Sequence, residues 1–139
     1  MTITISKSIS TRVPRAMLLA RIADAASWPE WSPFTRARVE KPGPGGAGTP
    51  GEIRWFFTSS TKSREEVLPS EGDVVLRYRL LEGLPLKGYV AEVRIVEDGS
   101  GRTVTWSSRF EPQVPFTGWF YRTALERFFV LLLRSLVAD

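Results

Sequence analysis

The chain has no cysteine and no histidine. Without cysteine it forms no disulfide, offers no thiolate nucleophile and holds no metal through sulfur. Without histidine it carries neither a Ser-His-Asp triad nor a His-ligated zinc or iron site. Acid–base chemistry falls to Asp, Glu, Tyr, Lys, Arg or water. Lysine is scarce: of 19 basic residues, four are Lys and 15 are Arg. Long apolar runs are missing too. The opening stretch MTITISKSISTRVPR has no apolar segment of the kind a secretory leader needs. The run Phe128 to Leu133 stops at Arg134, well short of the roughly 20 residues that span a bilayer. We therefore expect a cytoplasmic protein with no metal, no cofactor and no stable membrane insertion.

What is present points to one globular unit. At 139 residues the prior is a single domain over 1–139, long enough to bury its own core. Hydrophobic content of 42% and charged content of 24% are ordinary for a globule. The aromatics are abundant for this length (five Trp, eight Phe, three Tyr), which suits a bulky core or a lined pocket. The net charge is +4, but the arginines alternate with apolar residues (Arg36 and Arg38, Arg77 and Arg79) instead of clustering. That pattern is expected of the outward positions of strands, so no nucleic-acid partner is expected.

In chain order, Ile3, Ile5 and Ile9 alternate with polar residues and predict a strand over about residues 2 to 10. Ser10 or Thr11 can cap the helix that follows, with Pro14 in its first turn and residues 16–23 as its body. Trp28-Pro29-Glu30-Trp31-Ser32-Pro33 allows one helical turn, whose two Trp share a face and pack under the sheet edge. A strand follows over 34–40. Lys41 to Gly51 holds five Gly and three Pro. It lacks the Gly-Lys-Ser/Thr ending of a phosphate loop and no helix opens after it, so a mobile hairpin loop is expected. Strands are predicted over 52–60, 61–69, 73–81, 86–97 and 102–111. Asp98-Gly99-Ser100-Gly101 marks the last hairpin.

The C-terminal stretch organises the rest. After Gly118 no Pro or Gly interrupts the chain, and a helix is expected. At 100° per residue, Arg122, Glu126, Arg127 and Arg134 fall in one arc, opposite Tyr121, Leu125, Phe128, Leu132 and Ser135. Phe129, Val130, Leu133 and Val137 make the flanks apolar as well, so the helix needs cover on most of its circumference. Hairpin-linked strands with helices set apart from them imply an α+β protein with an antiparallel sheet and helices on one face.

Several strings in this order resemble the helix-grip (SRPBCC) superfamily of START lipid-transfer domains, Bet v 1 plant allergens and polyketide cyclase/dehydrase-like proteins. They are Asp24…Trp28-Pro29-Glu30-Trp31-Ser32-Pro33, Gly51 at the third strand, Arg64-Glu65-Glu66-Val67, Leu84-Pro85-Leu86-Lys87-Gly88-Tyr89, and Thr105-Trp106 with Phe110-Glu111-Pro112. The likeness covers nearly the whole chain and is strongest to small bacterial members of the cyclase-like group. It implies a helix-grip fold, a curved antiparallel sheet of about seven strands around the long C-terminal helix, with two short helices between the first two strands. Members often carry Thr four residues before the strand Trp, where this chain has Arg102. The cyclases of the group polarise carbonyls with Arg, Tyr, Ser or acidic side chains. No such set maps here residue by residue, so the resemblance assigns no catalytic residue.

A space between sheet and helix would be lined by Trp55 or Phe57, Val67, Leu76, Tyr78, Tyr89, Val93, Trp106, Ser108, Phe110, Tyr121, Leu125 and Phe128. Alternatively these residues simply fill the core. Glu65 shares strand parity with Val67 and is expected to point inward, where burial raises a carboxyl pKa and suits it to acid–base work. Glu65 and Tyr89 are the candidates for catalysis, and Tyr78, Ser108, Tyr121 and Arg127 are the further polar candidates. With no histidine base, Ser108 is not expected to act as a nucleophile. Trp28 and Trp31 are expected to pack structurally instead of caging a cation. Three readings stay open: a monomeric or homodimeric carrier of a lipid, aromatic or polyketide-like molecule; a cofactor-independent cyclase or dehydratase; and an interaction module with a filled core.

Overall fold

A computed structural model describes residues 2–138. Strand β1 (Ile3–Thr11) leads into α1 (Arg15–Ala23), a 3-10 turn (Ala25–Ser27) and the single-turn helix α2 (Trp28–Trp31). Six strands follow: β2 (Arg36–Lys41), β3 (Ile53–Phe57), β4 (Lys62–Leu68), β5 (Val74–Glu82), β6 (Leu86–Asp98) and β7 (Gly101–Pro112). The long helix α3 (Gly118–Leu136) closes the chain. The strands form one sheet in the order β1-β7-β6-β5-β4-β3-β2, and every neighbouring pair is antiparallel. The two strands that flank α1 and α2 therefore occupy opposite edges, and the helices carry the chain across one end.

Register shifts bend the sheet at Val39/Lys41, Arg64/Glu65, Val74/Leu76 and Lys87/Val90. Each sharpens the local twist, as bulges do. Gly88 sits in the β6 irregularity with φ of 62°, a conformation that favours glycine. At Gly83 φ is 124° and an added Cβ would collide with the Lys62 carbonyl, so the β5–β6 connection can cross β4 closely only with glycine there.

The concave face carries the core. Val74, Leu76 and Tyr78 from β5, Tyr89, Ala91, Val93 and Ile95 from β6, and Val104, Trp106 and Phe110 from β7 are buried on it. Helix α3 lies against this face near β1 and β7 through its second half, burying Phe129, Leu132, Leu133 and Leu136. Arg21 of α1 donates to the carbonyls of Leu136 (2.5 Å) and Ala138 (3.2 Å). That places a cation at the negative end of the α3 dipole and ties the two helices together. Among the described residues no helix is long and apolar enough to cross a membrane.

Two local expectations are corrected, and one departure from the family pattern gains a structural role. Neither Ser10 nor Thr11 caps α1: Pro14 occupies the cap position, and the Thr11 hydroxyl accepts the Val13 N–H at 3.1 Å. The Gly/Pro-rich loop is anchored. The buried Glu52 accepts the Gly48 N–H at 3.1 Å, and Gly51 donates to the Val67 carbonyl at 2.9 Å. Arg102, at the position where family members often carry Thr, donates to the Val13 carbonyl and pairs with Glu97, stapling β7 to the start of α1.

Candidate functional site

Helix α3 covers the sheet unevenly. Its second half is packed into the core. Its first half stands off, with Tyr121, Leu125 and Phe128 only half-buried and Trp119 73% exposed. Beneath that half lies a cavity of about 360 Å³. Phe120, Tyr121, Leu125 and Phe128 form its roof, and Trp28 and Phe34 stand on the α2 side. Glu65 (β4), Tyr78 and Leu80 (β5) and Tyr89 (β6) come from the sheet, and the β3–β4 turn contributes Thr58, Ser60 and Thr61. The volume falls within the roughly 300–1,000 Å³ usual for small-molecule pockets, and the lining has the usual mix of apolar walls and a few placed polar groups.

The aromatic wall is continuous. Trp28 is fully buried, donates its indole N–H to the Ile22 carbonyl at 3.2 Å, and packs its ring 4.5 Å from Phe56 and 5.2 Å from Trp31. Phe34, just ahead of β2, bridges sheet and helix, with ring centroids 4.8 Å from Phe56 and 5.1 Å from Phe128. The two Trp thus serve as packing, as their spacing predicts.

Behind the wall lies a buried charge cluster. Arg54 is 0% exposed and faces the core over the rings of Trp28 (5.0 Å), Phe56 (5.2 Å) and Tyr78 (5.6 Å). Its guanidinium donates to Glu52 at 3.4 Å and approaches Glu65 to 3.9 Å. Residues 54 and 65 are direct cross-strand partners, so the β3–β4 hairpin itself brings the charges together. Burial pushes the Glu65 carboxyl up from 4.5 to about 7, outweighing the pull of Arg54 and of the Ser63 hydroxyl. Burial likewise raises both phenols, with the Tyr89 one raised further by Glu65 and the Tyr78 one by its neighbour Tyr89. The Tyr78 hydroxyl accepts the Trp106 indole N–H at 3.0 Å. Among the described residues, Glu65 Oε1, Ser108 Oγ and the Arg54 Nε and Nη2 are buried without a hydrogen-bond partner. At neutral pH Glu65 is thus a carboxyl near its midpoint beside two neutral phenols, able to hold or release one proton. Among the described residues no group of three or more acidic side chains gathers as a metal site would require.

The predicted site residues divide into three groups. Tyr78, Tyr89, Tyr121, Leu125, Phe128 and Glu65 border the cavity. Val67, Leu76, Val93, Trp106, Ser108 and Phe110 face the same side of the sheet but are buried away from the cavity, with Trp106 against Phe129 and Phe110 against Tyr89. Trp55 and Phe57 point the other way and are a correction. They stack on each other on the convex face, where Arg36 lies 4.2 Å from the Phe57 ring and the Trp55 indole donates to Glu40 at 2.7 Å. The inward members of β3 are Arg54 and Phe56. Helix residue Arg127 is exposed.

Trp28, Phe34, Leu80, Leu84 and Phe120 border the cavity unpredicted, and Arg54 was missed behind it. A signal for Arg54 existed: the short turn between β3 and β4 sets it opposite the inward-facing Glu65.

A seven-stranded antiparallel sheet gripping a C-terminal helix, with two short helices after the first strand, defines a helix-grip domain of the START and Bet v 1 kind. Solved structures share this architecture. A START superfamily protein from Mycobacterium smegmatis superposes with a TM-score of 0.81 at 14% identity, covering 96% of this chain and 93% of its own. Ginseng major latex-like protein 151 from Panax ginseng gives 0.80 at 14% identity, covering 97% and 95%. A protein from Thermobifida fusca gives 0.79 at 21% identity, covering 96% and 90%. At these identities the likeness shows the fold. No curated protein matches the sequence. The chain belongs to the family described as polyketide cyclase / dehydrase and lipid transport, whose model matches residues 2–139. Family and fold fit a ligand-binding domain.

Proposed function

We propose that this protein binds and carries a small hydrophobic molecule in the cavity between β4–β6 and the first half of α3, as a cytoplasmic monomer or homodimer. The observation that carries the reading is the unequal seating of α3. One half of the helix is packed solid, and the other leaves about 360 Å³ bordered by Trp28, Phe34, Tyr121, Leu125 and Phe128. A well-packed core leaves few voids larger than a water molecule, so a cavity of this size with apolar walls favours a guest over a packing fault. Its volume suits a ring system or a single medium-length chain better than a two-chain lipid. Native mass spectrometry of protein purified from its own host should show a bound adduct, and a fluorescent hydrophobic probe should titrate to saturation. Absence of both results rejects the reading.

One observation favours a second reading, an enzyme of the cyclase or dehydratase type. Glu65, near its midpoint at neutral pH, stands on the cavity wall beside the Tyr89 phenol. Groups so tuned serve proton transfer. Screened against ketone-bearing chains of the cavity's size, this reading expects turnover that both Glu65→Gln and Tyr89→Phe abolish. Normal turnover in both variants removes these residues from the chemistry.

A further inference from the structure

One end of the molecule exposes aromatic rings that the core does not use. Phe116 is 94% exposed and Trp119 73%, and beside them Val114 and Phe120 are more than half exposed. They lie on the turn that joins β7 to α3 and on the first turn of that helix. The turn is held in place. Gln113 donates its N–H to the Pro85 carbonyl at 2.9 Å, which ties it to the β5–β6 connection. The Thr117 hydroxyl donates to the Val114 carbonyl at 2.7 Å. The start of α3 presses on β1, where a Cβ at Gly118 would come within 2.7 Å of Ile3 Cδ1. Between these fixed points Phe116 takes φ of 68°, a left-handed conformation that a bulky residue rarely adopts. Such strain persists where the surroundings over-determine it, and here its outcome is a ring held out in water.

The rings form a path. Trp119 and Phe120 meet edge to face at 6.1 Å, and Phe120 and Tyr121 at 5.1 Å. Phe120 and Tyr121 border the cavity, so apolar surface runs from the tip to the cavity's margin. The opposite margin is the β3–β4 turn, with Ser60, Thr61 and Lys62 exposed. Charge beside the rings has one sign. From Pro112 to Leu125 the sole charged residue is the exposed Arg122, and from Thr58 to Lys62 it is Lys62. Glu126, the next acid along α3, lies 3.6 Å from Lys7. At roughly 150–250 Å² per aromatic side chain, Phe116, Trp119 and Phe120 leave about 450 Å² open to water. That is a large patch for a monomer, yet short of the roughly 800 Å² that a stable protein partner covers on each side. Projecting Trp and Phe rings beside Arg and Lys suit a bilayer interface better. There, aromatic rings settle at headgroup depth and cations meet anionic lipids.

We propose that this end docks peripherally on an anionic lipid surface, with Phe116, Trp119 and Phe120 seated among the headgroups and Arg122 and Lys62 against their charge. That posture turns the margin of the cavity toward the bilayer. Docking needs no guest in the cavity, so it stands or falls apart from the carrier reading.

The test is co-sedimentation of the whole chain with sucrose-loaded vesicles of phosphatidylcholine, alone or with about 30% phosphatidylglycerol. Wild type should bind the anionic vesicles at least about fivefold better than the neutral ones, and less as salt rises. Joint Phe116→Ala and Trp119→Ala substitution should weaken that binding by about tenfold or more. Arg122→Glu should weaken it by about fivefold. Leu131→Ala, at a half-exposed position farther along α3, should change nothing. The double variant should still bind a fluorescent hydrophobic probe as wild type does, because neither side chain borders the cavity. Should the double variant not fold, bromine-labelled lipids decide. They should quench wild-type Trp fluorescence, and Trp119→Phe should lose most of that quenching while still sedimenting. No binding to anionic vesicles, binding that survives loss of both rings, or quenching unchanged in Trp119→Phe overturns the inference and leaves the carrier reading standing. Dimers that Trp119→Ala splits would assign the patch to a second copy and overturn it as well. Failure of the probe to bind wild type removes the carrier reading and leaves docking standing.

Discussion

Replacing Glu65 by Gln should make the protein more stable at neutral and alkaline pH and change it little in acid. The sign follows from the direction of the shift. In the folded protein the carboxyl titrates at about 7, against 4.5 for an ordinary Glu. Between those values the folded state holds a proton that the unfolded chain releases. Stability from this group is therefore complete below about 4.5, declines as pH rises, and is lost once pH passes about 7. The gap between 4.5 and about 7, at about 1.4 kcal/mol per pH unit, amounts to about 3 kcal/mol. Glutamine keeps the shape and does not titrate. Arg54 retains Glu52, so no cation is stranded. The stability difference between variant and wild type should thus widen by about 3 kcal/mol from pH 4.5 to pH 8. Urea unfolding followed by Trp fluorescence across that range reads it directly. Other carboxyls cancel in the comparison, including the exposed Glu40, which its hydrogen bonds to Arg64 and Trp55 hold at about 2. A difference that stays constant with pH, or wild type gaining on the variant as pH rises, would refute the claim that burial dominates at Glu65.

Three further outcomes are expected. Arg54→Met leaves Glu52 and Glu65 buried without their cation and should cost about 3–5 kcal/mol at pH 7, measured by chemical denaturation; a loss under about 1 kcal/mol would show the cluster to be solvated. Trp55→Ala should destabilise by about 3 kcal/mol through lost packing on the convex face, yet leave probe affinity unchanged, because the ring lies across the sheet from the cavity. Leu125→Trp should fill the space under α3 and abolish probe binding while altering stability by less than about 2 kcal/mol; undiminished binding would place the probe elsewhere.

Much of this architecture was legible from local pattern. The alternation in β5, β6 and β7 reads the same in sequence and in structure: Val74, Leu76 and Tyr78, then Tyr89, Ala91 and Val93, then Val104, Trp106 and Phe110 all face the core. Polar residues hold most of the intervening positions (Arg77, Glu92, Thr105, Ser107 and Arg109), and they set the phase despite Val75 and Val90. Strand β3 reads Ile-Arg-Trp-Phe-Phe, apolar on both faces, and its parity carries no phase of its own. The large rings at 55 and 57 suggested the inward side, whereas the pairing of Arg54 with Glu65 places them outside.

The sequence by itself determined the strand and helix order, the antiparallel hairpins and the inward set of the three central strands. These rest on side-chain period, turn chemistry and motif spacing, all of which act over a few residues of chain. Tertiary structure alone decided that α3 is seated by its second half only, that the hollow lies under Tyr121, Leu125 and Phe128 instead of along the whole grip, and that a buried arginine stands behind Glu65. Those outcomes depend on how a bent sheet meets a straight rod and on which charges come within reach across strands. Both are properties of spacing in three dimensions, to which the period of a single segment is blind.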